Sequence, residues 1–189
     1  MSDYPRVHVE TAAEFGEWLA ANHATMTGVW LVTWRTATGK PAPSYDDLVV
    51  EALRFGWIDS TAGTLDDERT MLRFTPRRPG SGWSRSNKER IARLETRGGL
   101  EAAGRAVLDA ARADGSWSLL DSVEALEVPD DLAAALDRTP GAREQWEGFP
   151  PSAKKQILHW IVQAKRPATR NKRVTEAAQK AARGERANQ

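Results

Sequence analysis

The sequence predicts an α+β fold: a small mixed β-sheet with a hairpin and packed helices, followed by an all-helical C-terminal part. Short runs of β-branched and aromatic residues alternate with helical patterns over the first 76 residues. Two alternating segments on either side of LDDE predict the hairpin. In the last third the apolar residues recur only at helical spacing, so no further strand is expected there.

The first four elements follow from apolar spacing and from residues that start or stop a helix. Thr11 and Glu14 form a capping box, and Gly56 supplies a helix stop. The run VWLVTWR has the composition of a buried strand. The expected order is a strand at 7–9, a helix at 12–22, a strand at 29–35 and a helix that starts at Ser44 and reaches Phe55.

The next segment predicts the hairpin and two further helices. One arm spans 57–64 and the other 69–75, and Pro76 ends the second arm because proline has no N–H to donate to the ladder. The serines after PGSGW are suitable helix caps, so a helix is expected over 84–97. Another helix is expected over 101–113.

Prolines mark the helix starts of the last third. Pro129 before two aspartates predicts a helix with proline at its first position, and PPS at 150–152 precedes a strongly amphipathic stretch. A weaker helix at 168–183 has a thin apolar stripe. We therefore expect an α+β domain at 1–97 and a helical part at 98–189 packed on it, with the tail 168–189 docked loosely.

The composition is that of an ordinary globular domain, with 40% hydrophobic and 28% charged residues. The absence of cysteine excludes disulfides, thiolate metal sites and thiol nucleophiles. MSDYPRVHVE has no basic segment followed by an apolar run, and no apolar stretch approaches the ~20 residues of a membrane span. We therefore expect a cytoplasmic protein without a signal peptide.

Basic residues are concentrated in two segments, although the formal net charge is only +1. Residues 73–97 carry eight Lys or Arg against two Glu, a net charge of +6, and residues 154–186 carry ten against two, a net charge of +8. The remainder of the chain therefore has a net charge of −13. This asymmetry favours an anionic partner, and the alternative is that the basic segments pair with the acidic remainder.

Residues 57–90 carry the features of an anion site. The hairpin brings Asp59 to the edge where the arginines of 73–78 lie, in a position to hold one of them in a bidentate pair. PGSG then leads into the helix start at Ser84, whose N–H groups attract anions. The candidate ligand-binding residues here are Trp57, Asp59, Arg73, Thr75, Arg77, Arg78, Trp83, Ser84, Asn87, Lys88 and Arg90.

The eight tryptophans fall into two groups by their position. Trp57 and Trp83 stand at element boundaries beside polar residues and are expected to line the pocket. The expected core tryptophans are Trp18, Trp30, Trp34 and Trp160.

Each of these features also has a structural interpretation, and catalytic arrangements are sparse. Arginines in a Pro/Gly-rich loop are often solvated, and Asn87 on an apolar stripe is often a structural hydrogen bonder. The three histidines lack metal-ligand spacing, so we expect no metal and no cofactor. Asp59 is a candidate base and Tyr45 a candidate acid, with no visible partner to tune either, so an enzymatic role is left open.

Three segments resemble a known family. EALRFGWIDS at 51–60, RFTPRRPGSGWSRSNKERI at 73–91 and AKRPATRNKRV at 164–174 are similar, in this order, to the YdeI/OmpD-associated family, also called bacteriocin-protection proteins. The resemblance extends over roughly 45–185. It implies a link to envelope stress and to resistance against cationic antimicrobial peptides, with no established reaction. It adds Lys165, Arg166 and Arg170 to the candidate ligand-binding residues.

Two functions follow from these observations. The first is a pocket for a small anionic ligand that bears a phosphate or a carboxylate, with an enzyme acting on a phosphorylated substrate as a special case. The alternative is a nucleic-acid- or protein-binding module that uses the basic 73–90 and 164–186 surfaces, and its nucleic-acid binding would weaken steeply with salt. The modest net charge and the acidic remainder favour the pocket.

Overall fold

The computed structural model describes residues 4–188, which form two compact units. Of the described residues, the first unit holds those up to Ser81 together with Ser86–Trp117, and the second holds Gly82–Arg85 together with those from Ser118 onward. The first unit contains the sheet and the second is helical, so the predicted α+β class is confirmed. The domain division at residue 97 stays a prediction.

The strands and α-helices of the first unit form within one residue of their expected bounds, and a 3-10 turn for which no bounds were predicted lies among them. They are β1 (Arg6–His8), α1 (Ala12–Asn22), β2 (Val29–Trp34), a 3-10 turn (Thr36–Thr38), α2 (Tyr45–Arg54), β3 (Trp57–Thr64), β4 (Arg69–Pro76), α3 (Arg85–Thr96) and α4 (Ala102–Ala113). Thr11 and Ser44 cap α1 and α2, since each hydroxyl accepts from the backbone N–H three residues later. Local capping chemistry thus starts both helices where the sequence predicts.

The sheet has the strand order β1-β2-β4-β3. β1 and β2 are parallel, whereas β4 is antiparallel to both β2 and β3, which confirms the mixed sheet and its hairpin. The β3–β4 register shifts between Asp59 and Ala62, so Ser60 and Thr61 form a bulge opposite β4. This bulge places the hydroxyl groups of both residues within hydrogen-bond distance of Arg73 in β4.

One face of the sheet packs against helices. Phe15 of α1 meets Phe74 of β4 with ring centroids 4.8 Å apart, and Trp18 meets Trp57 edge-on at 5.9 Å. Phe15 and Phe74 are fully buried, which contributes roughly 1.5–3 kcal/mol each. This is the core of the first unit, and it fixes which residues of each strand face away from it.

The opposite face, here called the second sheet face, carries the alternate residues of each strand. Register places Arg6, Trp30 and Arg73 in one row across three strands, and His8, Val32 and Met71 in the next row. The four tryptophans expected in the core, Trp18, Trp30, Trp34 and Trp160, are all only partly buried. Trp30 and Trp34 lie on the second sheet face. Alternation explains the difference, because Val29 and Leu31 point to the helices and the tryptophans between them point away.

The second unit is built from helices alone among the described residues. They are α5 (Asp121–Glu124), α6 (Asp130–Arg138), α7 (Ala142–Gly148), α8 (Pro151–Val162) and α9 (Pro167–Ala181). Leu132, Leu136, Trp146, Ile157 and Ile161 form the centre of their core. Pro129 caps α6 from outside the helix, so the prediction of proline at its first position was wrong there, whereas Pro151 and Pro167 each occupy that position in α8 and α9.

Helix α9 buries the narrow apolar stripe that was predicted from its sequence. Val174, Ala177, Ala178 and Ala181 are each at most 5% exposed. The small alanine side chains let the helix approach α6 and α7 closely. The loose docking expected for 168–189 stays a prediction.

Candidate functional site

The candidate ligand-binding residues are divided between the two units. The first unit holds Trp57, Asp59, Arg73, Thr75, Arg77, Arg78, Asn87, Lys88 and Arg90. The second unit holds Trp83, Ser84, Lys165, Arg166 and Arg170. The list therefore falls into two groups by unit, and the surroundings of each group within its own unit are as follows.

Arg90 and Asn87 belong to a structural ion-pair cluster. The Arg90 guanidinium donates to Asp46 Oδ1 at 2.8 Å and to Asn87 Oδ1 at 2.9 Å. Its side chain is only 12% exposed, and Arg93 donates to the second Asp46 oxygen at 2.8 Å. Hydrogen bonding from Arg90 lowers the pKa of the Asp46 carboxyl. The Asp46 carboxylate is therefore shared by Arg90 and Arg93, and it ties α3 to the first turn of α2.

Asp59 accepts its hydrogen bond from a tyrosine. Tyr45 Oη donates to Asp59 Oδ2 at 2.8 Å, and burial together with this bond raises the pKa of the Tyr45 phenol. This bond is the one hydrogen bond that the structure gives to the Asp59 side chain among the described residues, and the bidentate pair expected with an arginine of 73–78 stays a prediction. Burial lowers the pKa of the Arg77 guanidinium to about 10, and the Asp59 charge opposes this shift. Arg77 thus stays protonated at neutral pH.

Arg73 is held by hydroxyl groups. Its Nε donates to Ser60 Oγ at 2.8 Å, and its Nη2 donates to Thr61 Oγ1 at 3.0 Å. The guanidinium also lies 5.8 Å from the centroid of the Trp30 ring. Both hydroxyls come from the bulge in β3, which therefore orients the guanidinium without neutralising its charge.

Arg6 lies on the other side of Trp30 in the same row. β1 pairs Arg6 with Trp30, and β2 pairs Trp30 with Arg73, so an arginine flanks the tryptophan on each side. Within residues 4–188 neither arginine has an ion pair with a carboxylate. The Arg6–Trp30–Arg73 row is thus a partly exposed aromatic ring between two cations that lack a neutralising partner in the described chain.

The neighbouring tryptophan on this face has different surroundings. Lys40 Nζ lies 4.0 Å from the Trp34 ring centroid, but Lys40 also pairs with Glu68 at 2.9 Å. Arg69 lies 5.9 Å from the same ring and donates two hydrogen bonds to Asp66. Both cations around Trp34 therefore have carboxylate partners. The row around Trp30 differs, because neither of its arginines has such a partner among the described residues.

The remaining candidates of the first unit have mixed surroundings. Trp57 is 1% exposed and belongs to the core, while Thr75 is partly buried on the second sheet face. Arg78 is exposed, and its carbonyl accepts from Ser81 in the turn that follows β4. Lys88 Nζ lies 5.0 Å from the Trp117 ring centroid.

In the second unit, the candidates include one firm ion pair. Arg170 donates two hydrogen bonds to the Asp131 carboxylate at 2.6 and 2.9 Å, and this lowers the pKa of Asp131. Lys165 and Arg166 are exposed, and Arg166 occupies the N-cap position of α9. Trp83 is 1% exposed, and Ser84 is partly buried.

Two general properties bear on the site's chemistry. In the part of the chain that the structure describes, no group of three or more His, Asp or Glu side chains is arranged to hold a metal ion. No described helix is long and apolar enough to cross a membrane.

Sequence reasoning missed Arg6, Trp30, Ser60 and Thr61 as site residues. The signal was present in the alternation of VWLVTW, which puts Trp30 on the face opposite Val29 and Leu31. Finding Arg6 and the two hydroxyls also required the strand order and the position of the bulge, which no local pattern encodes. Of the three residues in the row, only Arg73 was a candidate from the sequence, and the strand pairing adds Arg6 and Trp30.

Comparison with known proteins identifies two regions of the chain. Residues 125–184 match the family described as Bacteriocin-protection, YdeI or OmpD-Associated, which confirms the resemblance over this part. The earlier segments at 51–60 and 73–91 lie in a different match, to a domain of unknown function, DUF8412, over residues 7–107. No curated protein and no solved structure matches the chain. Because the DUF8412 match over residues 7–107 is more than half of the chain, the chain belongs to the DUF8412 family, and residues 125–184 of its second unit match the YdeI/OmpD-associated family.

Proposed function

We propose that this protein binds a small anionic ligand on the second sheet face of its first unit, through Arg73, Arg6 and Trp30. The observation that carries the proposal is the environment of Arg73. It is oriented by two neutral hydroxyls, and no carboxylate among the described residues pairs with it. A fixed guanidinium with uncompensated charge is the group that recognises phosphate and carboxylate.

The hydrogen-bonding capacity of Arg73 supports this assignment. A guanidinium carries five N–H donors, and two of them are used by Ser60 and Thr61. The other three can donate to ligand oxygens without breaking these bonds. The side chain is partly buried, so its ordering cost is largely met before a ligand arrives.

Trp30 supports a ligand that also contains a planar group. Its ring lies between two arginines in the row and remains partly exposed. Aromatic faces stack on planar rings, and arginine stacks on aromatic faces while it binds anions. A ligand with a flat ring and a phosphate or carboxylate therefore matches the row better than a bare anion.

The basic 164–186 surface supports the nucleic-acid alternative less well. Arg170 pairs with Asp131, Lys180 with Glu176 and Arg183 with Glu185. Arg173 donates to the Trp160 carbonyl and lies 5.1 Å from that ring's centroid. Three of the eight Lys and Arg side chains in residues 164–186 thus have carboxylate partners, so this segment offers fewer cations to a polyanion than a count of its basic residues suggests.

The biological process proposed for this binding rests on the description of the matched family. Residues 125–184 match a family described as bacteriocin protection, so we propose that the ligand takes part in such protection or in a related stress response. A cytoplasmic location stays part of this proposal.

The test compares four probes on the whole chain by isothermal titration calorimetry: adenosine monophosphate, adenosine, ribose phosphate and inorganic phosphate. We expect the probe with both ring and phosphate to bind best. Arg73→Ala should weaken it by about 10- to 100-fold, since hydrogen bonds to charged groups contribute roughly 1.5–3 kcal/mol. Trp30→Leu should weaken adenosine monophosphate and leave phosphate unaffected.

The matched control is Arg105→Ala, which removes an exposed arginine from α4. It should bind every probe as the unchanged protein does. The proposal fails if no phosphate-bearing probe binds at millimolar concentration, or if Arg73→Ala and Arg105→Ala bind equally. A single-stranded oligonucleotide that binds far better than the mononucleotide, with a steep salt dependence, would favour the nucleic-acid alternative.

A further inference from the structure

The first unit contains a cleft whose lining includes none of Arg6, Trp30 and Arg73, although it includes Ser60, which accepts a hydrogen bond from Arg73. It has a volume of about 730 Å³ and lies beside Tyr45, so we call it the Tyr45 cleft. Its walls are the 33–36 and 39–45 segments, Leu48 of α2, and parts of β3 and β4. The volume is within the range of about 300–1,000 Å³ found for small-molecule sites.

The walls of this cleft combine an apolar surface with hydroxyl groups. Ala42, Pro43, Leu48, Ala62 and Leu72 supply the apolar part. The hydroxyl groups belong to Thr33, Thr36, Ser44, Ser60 and Thr70. Such a lining suits a ligand with an apolar body, which a few polar contacts hold in one orientation.

Asp59 is the one acidic side chain among the described residues that line the cleft. Two cations also line it, but both have other partners. Lys40 pairs with Glu68 at 2.9 Å, and Arg35 contacts the Asp67 carbonyl and the Thr64 hydroxyl at 3.5 Å each. Arg35 keeps its positive charge because its partners are neutral, but they hold it at the hairpin turn, five residues along β3 from Asp59. Asp59, whose charge also acts on Arg77, is therefore the charged group at the other end of the cleft.

The Tyr45–Asp59 hydrogen bond determines which donors and acceptors the cleft offers to a ligand. Tyr45 uses its one O–H to donate to Asp59 Oδ2, so the phenol oxygen can only accept from a ligand. The second carboxylate oxygen also only accepts. The tyrosine ring is 54% exposed beside these two acceptors. Arg90 lies 5.9 Å from this ring and shares the Asp46 carboxylate with Arg93.

We propose that the Tyr45 cleft binds a small organic amine, with its ammonium group donating to Asp59 and Tyr45 and its apolar body along Leu48 and Leu72. An ammonium supplies three donors and a positive charge, which is the complement of a carboxylate beside a tyrosine ring. This ligand is opposite in charge to the one proposed for Arg73. The two proposals are thus independent.

The test uses three probes with the same aromatic body and different ends: phenethylamine, phenethyl alcohol and phenylpropionate. Binding to the whole chain is measured by calorimetry and by saturation-transfer NMR. We expect the amine to bind at least tenfold more tightly than the other two. Asp59→Asn should abolish this preference, and Tyr45→Phe should reduce the affinity for the amine by a smaller factor.

Two further variants keep the test decisive. Ala42→Trp fills the cleft from an exposed wall position and leaves Asp59 and Tyr45 in place, so it should remove amine binding even if Asp59→Asn folds poorly. Arg73→Ala should bind the amine normally, which separates this result from the phosphate experiment. The proposal is overturned if the alcohol or the carboxylate binds as tightly as the amine, if Asp59→Asn keeps the preference, or if no probe binds at about 10 mM, well above typical ligand affinities.

Discussion

Gly104→Ala tests the closest helix approach in the first unit. Gly104 is buried in α4, where a Cβ atom would lie 2.2 Å from the carbonyl oxygen of Arg54 and 2.8 Å from that of Leu53. Real Cβ contacts are essentially never shorter than 3.0 Å, so the new methyl group is at least 0.8 Å too close. Both opposing atoms belong to the backbone at the end of α2, and no side-chain rotation can relieve the overlap.

The expected loss of stability follows from two opposing effects. Replacing glycine by alanine inside a helix stabilises it by roughly 1 kcal/mol. Forcing α4 away from α2 is an overpacking change, which typically costs about 1–3 kcal/mol. Because the overlap is severe, the cost belongs at the upper end. We expect Gly104→Ala to lower the free energy of unfolding by about 1–2 kcal/mol, or the melting temperature by about 2–8 °C.

The chain provides a matched control for this substitution. Gly148 ends α7, its φ is not positive, and a Cβ there would meet nothing within 4 Å. Gly148→Ala should therefore leave the melting temperature unchanged or raise it slightly. Circular dichroism melts of both variants measure the difference. A Gly104→Ala protein as stable as the unchanged chain would refute the reasoning from close approach.

Two further predictions concern local stabilising contacts. Ser44→Ala removes the hydroxyl that caps α2 and should cost about 1 kcal/mol, measured as a lower midpoint of urea unfolding, whereas Ser152→Ala, an exposed non-capping position, should have little effect. Asp131→Asn removes the acceptor of Arg170, whose hydrogen bond lowers the pKa of Asp131. A lowered folded-state pKa stabilises the protein above the ordinary value of about 3.9, and this stabilisation is lost as pH falls through the folded pKa. Asp131→Asn should thus be less stable at pH 7, with the difference vanishing in acid, and a constant difference between pH 7 and acid would contradict this account.

Much of the fold could be predicted because its signals are local. Thr11 and Ser44 accept from the backbone N–H groups that the capping pattern requires, and α1 occupies the predicted 12–22. The hairpin arms have the predicted bounds to within one residue, since alternation and the intervening turn residues fix them. The helix start at Pro129 was the exception, because proline there serves as the cap.

The site was harder to predict because it depends on partners that are distant in sequence. The arginines of 73–90 look alike in the sequence, yet the structure gives them different surroundings. Arg90 has Asp46 from 44 residues earlier, while Arg73 has only the hydroxyls of a bulge. A local charge count cannot distinguish these two cases, since it contains no information on which carboxylate reaches which guanidinium.

The sequence by itself determined the order and type of most elements, the concentration of basic residues in two segments, and a resemblance to a known family over roughly 45–185, of which the family match confirms 125–184. Those features depend on local spacing and composition. Only the tertiary structure decided that Trp30 lies between Arg6 and Arg73, that Tyr45 donates to Asp59, and that Arg90 pairs with Asp46. Strand order, register and one bulge bring these side chains together, and such long-range pairing is set by the packing of the whole unit.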